Sequence, residues 1–333
     1  MANSNILKNL ENKKVLVIGD LIIDNFIFGR VRSLSNEAPV PRVDVKNKIS
    51  VLGGIGNIAT TIKSLNSYPE IISIVGKDET AKIAVSKLED MGILAKNLVF
   101  DHTRPTTKKS RIIVKSHHIA RLDYGSVAEP NEHVINKIKR NIESLVPEVD
   151  VIVVGDFGEG FLTKELMYFI IKQAETHNKK IIVYPHYAHK DYYMGVFMLA
   201  MSDKTASKIL RTSELDIEHL DKVGEQLTEY FNAHVLINYP NKLITFFNKH
   251  GNVVKSSYNN NMDNNNGNIY VNTTALGVTA LGIAADFDFK HVLKLAKIAS
   301  ELTYAKVGAT NISMKEIETR FNENDVLDSE HNE

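Results

Sequence analysis

The stretch Lys14-Val15-Leu16-Val17-Ile18-Gly19 is a continuous apolar run that ends in glycine. A strand buried on both faces, as in a parallel sheet, has this pattern. Four later runs share it: Ile71–Val75, Val149–Val154, Lys180–Tyr184 and Val235–Asn238. Segments with helical spacing of apolar residues lie between the runs: Asn57–Leu65, Glu79–Met91, Glu132–Leu145, Lys164–His177 and Ile217–Asn232. This alternation predicts an α/β fold with a doubly wound, mostly parallel sheet flanked by helices.

Two segments break the alternation of strand and helix. Gly29–Val51 and Lys108–Asp123 alternate polar and apolar residues with no helix between the repeats. Such alternation is typical of antiparallel strands with one exposed face. We therefore expect a small antiparallel sheet beside the main domain, which would act as a lid or an interface.

The remaining composition indicates one ordinary soluble domain over residues 1–333. Lys plus Arg and Asp plus Glu number 40 each, and there is no cysteine. The balanced charge argues against nucleic acid and anionic membranes as partners, and the lack of cysteine agrees with a cytoplasmic location. No apolar run is long enough for a signal peptide or a membrane span. The Asn-rich stretch Tyr258–Asn268 is expected to be a mobile surface loop, and the tail is expected to fray over residues 328–333.

Polar residues follow the first strand at the edge where open α/β sheets bind ligands. Asp20 and Asp24 supply paired acceptors suited to a polyol, and Gly53-Gly54 precedes a helix that carries Asn57. Glycines allow a ligand to approach the backbone closely, and Asn57 can hydrogen-bond hydroxyl groups. The alternatives are that Asp20 caps a turn and that the glycines pack a turn against the helix.

Together these motifs resemble the N-terminal signature of the ribokinase-like (PfkB) family. Ser35–Pro41 (SNEAPVP), Pro105–Arg111 (PTTKKSR), Arg121–Asp123 (RLD) and Val153–Gly160 (VVGDFGEG) narrow the likeness to the D-glycero-β-D-manno-heptose-7-phosphate kinases. Those kinases act in ADP-heptose synthesis for lipopolysaccharide. The resemblance implies a sugar or sugar-phosphate ligand and a homodimer formed through the lid. The implied substrate-binding residues are Asp20, Asp24, Gly53, Gly54 and Asn57, with Lys109 and Arg111 on the lid.

The chain departs from this family where phosphate transfer takes place. Family members open a helix with G-A-G-D, whose backbone amides form an anion hole and whose Asp is the general base. Here the matching positions are Ala275, Leu276, Gly277 and Val278, and valine accepts no proton. The side chains of Ala275 and Leu276 would also crowd a phosphate. No catalytic residue is therefore expected at the position of the base.

Three further motifs are altered. The N-x-x-E motif that organises magnesium aligns with Ser202–Thr205, a family lysine becomes Glu159, and D-P-K becomes Tyr184-Pro185-His186. A carboxylate near a triphosphate repels it. His186 and His189 are three residues apart but follow a strand exit, so we interpret them as loop or surface residues and expect no metal site.

The leading hypothesis is thus a pseudokinase that retains sugar or sugar-phosphate binding and needs no cofactor. One alternative is an active carbohydrate kinase that uses ATP and Mg²⁺ with a displaced acid, for example Asp203 or Asp286. Another is a structural dimer module whose pocket is closed.

Overall fold

The computed structural model describes residues 7–115, 117–213, 215, 218–240, 242–258, 268–306 and 311–330. Its strands fall into a large sheet and a small one. In chain order they are β1 Lys14–Gly19, β2 Leu21–Leu34, β3 Pro41–Gly54, β4 Tyr68–Val75, β5 Leu98–Phe100, β6 Lys108–Val114, β7 His117–Tyr124, β8 Val151–Gly155, β9 Lys180–Tyr184, β10 Met198–Ser202, β11 His234–Tyr239, β12 Leu243–Phe247 and β13 Val253–Ser257.

The α-helices lie between these strands and cover the large sheet. They are α1 Ile55–Ser64, α2 Glu79–Asp90, α3 Glu132–Leu145, α4 Lys164–Thr176, α5 Asp203–Leu210, α6 Leu220–Phe231, α7 Val271–Ala284, α8 Phe289–Tyr304 and α9 Met314–Glu330. Several begin with a polar side chain that accepts a hydrogen bond from the first turn, as Asp78 does for α2 and Thr163 does for α4. Such caps satisfy amide groups that have no partner inside the helix.

The large sheet has the strand order β13-β12-β11-β10-β9-β8-β1-β4-β5. Seven strands, from β11 to β5, are parallel, and β12 and β13 add an antiparallel edge. One buried cluster lies on each face of the sheet. The predicted fold class is confirmed, and all five predicted strands occur in it.

Several elements were not predicted from the sequence. β10 is rich in methionine and alanine and has few of the β-branched residues that mark a strand. α7 is buried along nearly its whole length, so it shows no polar face from which a helical period can be read.

The small sheet has the order β3-β2-β6-β7 and forms the lid. β2 continues the chain directly from β1 after the single residue Asp20. The pairs β2–β3 and β6–β7 are antiparallel, but β2 and β6 run parallel. The predicted small sheet is confirmed, and each of its two segments forms an antiparallel hairpin; only the parallel pairing of β2 with β6 was not predicted. The two hairpins come from distant parts of the chain, and they join side by side in the same direction.

Both ends of the Asn-rich stretch are anchored, although residues 259–267 lie outside the described residues. The Tyr258 hydroxyl donates to Asn238 Oδ1 at 2.5 Å, and Asn268 Nδ2 donates to the carbonyl oxygens of Thr303 and Lys306. α9 runs to Glu330, beyond residue 328 where the tail was expected to fray, and residues 331–333 are outside the described part. No helix among the described residues has the length and hydropathy needed to cross a bilayer.

Candidate functional site

The carboxyl ends of β1, β8 and β9 meet at one edge of the large sheet, where Asp20 follows β1. Asp20 is buried, and its carboxylate accepts backbone N–H groups from Phe157 at 2.8 Å, Glu159 at 3.3 Å and Phe161 at 3.1 Å. The pKa of Asp20 is raised to about 7, mainly because the carboxyl group is buried and secondly because the Asp156 carboxylate lies nearby. These contacts give Asp20 a turn-capping role, in which it holds the loop that follows β8.

Asp24 lies in β2 at the base of the lid and is buried. Arg111 Nη1 from β6 donates to Asp24 Oδ1 at 2.5 Å, and the Tyr270 hydroxyl donates to Asp24 Oδ2 at 2.9 Å. Burial raises the pKa of Tyr270, so its hydroxyl stays protonated and remains a donor. The carboxylate thus joins the lid to the residue just before α7.

Gly53 and Gly54 allow the β3–α1 junction to pass close to both acids. A Cβ at Gly53 would lie 2.0 Å from Asp24 Oδ2, far inside van der Waals contact. Gly54 has φ +56°, and a Cβ there would lie 2.3 Å from the carbonyl oxygen of Asp20. Glycine is required at both positions by space, and at Gly54 by backbone conformation as well.

Asn57 is buried in the first turn of α1 and faces α7. Its Oδ1 accepts hydrogen bonds from the hydroxyls of Thr273 at 2.6 Å and Thr274 at 3.4 Å. Asp24 and Asn57, which come from distant motifs, are therefore both bonded to residues 270–274. Two of the acceptors predicted to bind sugar hydroxyls, Asp24 and Asn57, thus each accept a hydrogen bond from a protein hydroxyl group.

Lys109 and Glu159 form an ion pair of 2.5 Å between the lid and the loop after β8. Their side chains are only 17% and 16% exposed, so water screens the pair weakly. Glu159 stands where the resemblance predicts a lysine, and a lid lysine neutralises it. Arg104 strengthens the same connection, since its guanidinium donates to the carbonyl oxygens of Gly160 and Ala128.

α7 begins at Val271, four residues before Ala275. The Thr274 N–H already donates to the Tyr270 carbonyl, so the amides of Ala275, Leu276 and Gly277 fall inside the helical hydrogen-bond ladder. Val278 is fully buried and belongs to the core cluster on this face of the sheet. The positions matched to the anion hole and the base are therefore interior helix residues.

Asp203 and Asp286, the two acids that could replace the missing base, lie at opposite edges of the large sheet. Asp286 follows the carboxyl end of α7 and pairs with Lys180, the first residue of β9, so it lies at the edge remote from Asp20. Asp203 opens α5 directly after β10, on the same edge as Asp20. It borders a cleft of about 440 Å³ whose other lining residues include Lys204, Lys208 and Lys242. Its Oδ1 is buried, and no described residue bonds it.

Comparisons with known proteins identify the family of the chain. The family model of the pfkB family carbohydrate kinases matches residues 12–258, well over half of the chain. The chain belongs to the pfkB family of carbohydrate kinases. The family match ends before α7, so it bears on the sheet and the lid rather than on residues 275–278.

Curated relatives include the bifunctional protein HldE of Helicobacter hepaticus, which is 36% identical over 66% of this chain and 46% of the relative. HldE of Aliarcobacter butzleri is 30% identical over 91% of this chain and 63% of the relative. The chain thus spans about half to two thirds of the length of these relatives.

Solved structures show the same fold. A ribokinase of Arabidopsis thaliana complexed with ribose and ATP matches with a TM-score of 0.74 over 93% of this chain and 98% of that chain, at 12% identity. A phosphofructokinase-2 of Escherichia coli matches with a TM-score of 0.73 over the same shares, at 13% identity.

Sequence reasoning did not find several residues that complete the site. Tyr270 and Arg104 carry no motif of their own, and their contacts reach partners far along the chain. Asp156 was visible in the VVGDFGEG match, but its hydrogen bonds to Tyr193 and His189 appear only in the fold.

Proposed function

We propose that this chain is a sugar-phosphate-binding member of its family that does not transfer phosphate, related to the heptose-phosphate kinases. The observation that carries the proposal is the start of α7 at Val271, which places residues 275–277 inside the helix and Val278 in the core. Phosphoryl transfer needs a base for the hydroxyl proton and free donors for the developing charge. This segment offers neither.

The size of the expected deficit supports the same conclusion. Loss of a general base typically lowers a rate by about 10²–10⁴, and loss of one anion-hole donor by about 10²–10³. These losses are not additive. Even so, losing the base and the donors together, with Glu159 in place of a cation, leaves little transition-state stabilisation.

Binding of a sugar phosphate is supported by the chemistry beneath the lid. Asp24 and Asn57 each accept a hydrogen bond from a protein hydroxyl, and a sugar hydroxyl offers the same donor. Arg111 and Lys109 place two cations on the adjacent strand β6, and guanidinium and ammonium groups pair with phosphate. We infer that a ligand would exchange with Tyr270 and Thr273 for these acceptors.

A thermal-shift titration tests binding, because a ligand that binds only the folded state raises the melting temperature. We expect a shift with a heptose 7-phosphate, a smaller one with the free heptose, and none with Mg²⁺-ATP. Asp24→Asn should weaken the shift. Asp44→Asn is the matched control, since Asp44 is a lid carboxylate paired with Arg32 away from the site. A shift unchanged in Asp24→Asn would contradict the proposed site.

A coupled assay for ADP tests the absence of transfer. We expect no turnover of heptose phosphate above the level without enzyme. ADP formation that depends on the sugar would reject the proposal even if binding occurs as described.

The competing function is an active kinase that uses Asp203. Asp203 is a better candidate than Asp286 for this role. Asp203 Oδ1 is buried without a bonding partner among the described residues, and the residue borders a cleft that three lysines also line, whereas Asp286 pairs with Lys180 at the opposite edge of the sheet. The competing function predicts turnover that Asp203→Asn abolishes and Asp286→Asn leaves intact.

We also propose that the protein is cytoplasmic and that two copies form a homodimer through their lids. The lid exposes several apolar side chains, which favours an interface: Val31, Leu34, Val45, Ile49, Ile119 and Leu122. Light scattering after size exclusion should give a mass near 75 kDa, about twice the 37.3 kDa of one chain. Leu34→Asp, on the exposed part of β2, should shift the mass toward the monomer.

A further inference from the structure

Asp156, His186 and His189 converge at the carboxyl edge of the large sheet. One ligand atom from each lies within 4.8 Å of the others. His186 and His189, predicted to be loop or surface residues, are partly exposed, and a short 3₁₀ segment over Tyr187–Tyr192, kinked at His189, places their imidazole rings with centroids 5.2 Å apart. Asp156 reaches the pair from the loop after β8.

We propose that these three residues form a binding site for one divalent transition-metal ion, with zinc as the best fit. Two imidazoles and one carboxylate are a ligand set typical of zinc sites that keep an open position. Magnesium and calcium prefer oxygen ligands throughout, so this set selects against them. None of these three residues is a hydrogen-bond partner of Asp24 or Asn57, so the proposal does not depend on the proposed sugar binding.

The carboxylate is held in place before any ion arrives. Asp156 is 2% exposed, and it accepts hydrogen bonds from the Tyr193 hydroxyl at 2.6 Å and the Gly158 N–H at 2.9 Å. Tyr193 is itself fully buried. Ligands of metal sites are typically oriented by such an outer layer of hydrogen bonds.

The two imidazoles are available as ligands in different ways. His186 Nδ1 is buried, and no described residue bonds it, which leaves a polar atom without compensation. His189 Nδ1 lies 2.7 Å from Asp156 Oδ2. Zinc–ligand bonds of about 2.0–2.1 Å in a tetrahedral site separate ligand atoms by about 3.3 Å. The His189–Asp156 pair has to open by about half an ångström to admit an ion, and the remaining ligand atoms, which lie within 4.8 Å of one another, have to close in on it.

Access to the site is open, since both histidines are partly exposed while the carboxylate is not. The carboxylate of Asp156 itself supplies the negative charge that favours a cation at the cluster. A bound ion would connect the loop after β8 to the 3₁₀ helix after β9.

Isothermal titration of chelator-treated protein with ZnCl₂ tests the proposal. We expect one zinc ion per chain, and at least ten-fold weaker binding in His186→Gln and in His189→Gln. His291→Gln is the matched control, because His291 also pairs with an aspartate, Asp288, but belongs to no such three-residue cluster in the part of the chain that the structure describes. MgCl₂ should give no saturable binding at this site.

A cobalt titration checks the same site without any substitution. Co²⁺ bound by imidazole and carboxylate groups should develop visible absorption bands stronger than those of the hydrated ion, and zinc should remove them. Absence of saturable zinc binding, binding unaffected by both glutamine variants, or a cobalt spectrum identical to the hydrated ion would each overturn the proposal.

Discussion

Val278→Asp restores the acid at the position of the family base, and the structure predicts that it damages the fold without creating a kinase. Val278 is completely buried, and none of its surface is accessible to water. Losing the buried valine removes about 1.5–3 kcal/mol of apolar burial. Inserting a carboxyl group with no arranged partner adds about 1–3 kcal/mol. The expected loss in the free energy of unfolding is therefore about 2.5–6 kcal/mol.

The loss should also depend on pH. A carboxyl group buried at residue 278 would have a pKa above its unfolded value of about 3.9, so the folded state binds its proton more tightly than the unfolded state. Stability is then greatest at low pH and falls as the pH rises through the folded pKa. We expect a larger deficit at pH 8 than at pH 5.

Urea unfolding of the wild type, Val278→Asp and Val278→Thr measures this directly. Threonine keeps the shape of valine, and its hydroxyl can bond the carbonyl one turn back in the helix, so its cost should be smaller and independent of pH. Wild-type stability in Val278→Asp, accompanied by ADP formation with a sugar phosphate, would refute the reasoning, because residue 278 would then face an open site.

Three other changes test the contacts around the site and the core. In a double-mutant cycle measured by urea unfolding, Lys109→Ala and Glu159→Ala should show a coupling energy of about 1–3 kcal/mol, because the ion pair is largely shielded from water. A coupling energy near zero would mean that this pair does not hold the lid to the loop after β8. Gly53→Ala should lower the melting temperature and the response to a heptose phosphate, since its Cβ would lie 2.0 Å from the Asp24 carboxylate; an unchanged response would show that Asp24 can move freely. Burial lowers the pKa of His234 to about 4 from 6.5, so the unfolded state takes up its proton first and stability should fall as the pH drops from 6.5 to 4; His234→Phe should flatten the pH profile of unfolding, and an equally steep profile would assign the loss to other groups.

Much of the architecture is determined by the sequence through burial. A strand covered by helices on both faces is apolar at every position, and five such runs between helical segments were enough to define the parallel sheet. The same reasoning missed β10, whose methionines and alanine pack equally well in a helix. It also missed that β2 and β6 pair in parallel, since alternation within a strand does not specify which neighbour it joins.

The candidate site also has features that the sequence determines and features that only the tertiary structure decides. The motifs identified Asp24, Asn57 and Arg111, and the substitution at Val278, because these depend on residue type at one position. Only the tertiary structure showed that Asp24 holds Arg111 and Tyr270, which lie 87 and 246 residues away, and that α7 starts early enough to enclose residues 275–277. The physical reason is that local patterns record which side chains avoid water, whereas a buried hydrogen bond needs one specific partner, and the chain's topology decides which partner arrives.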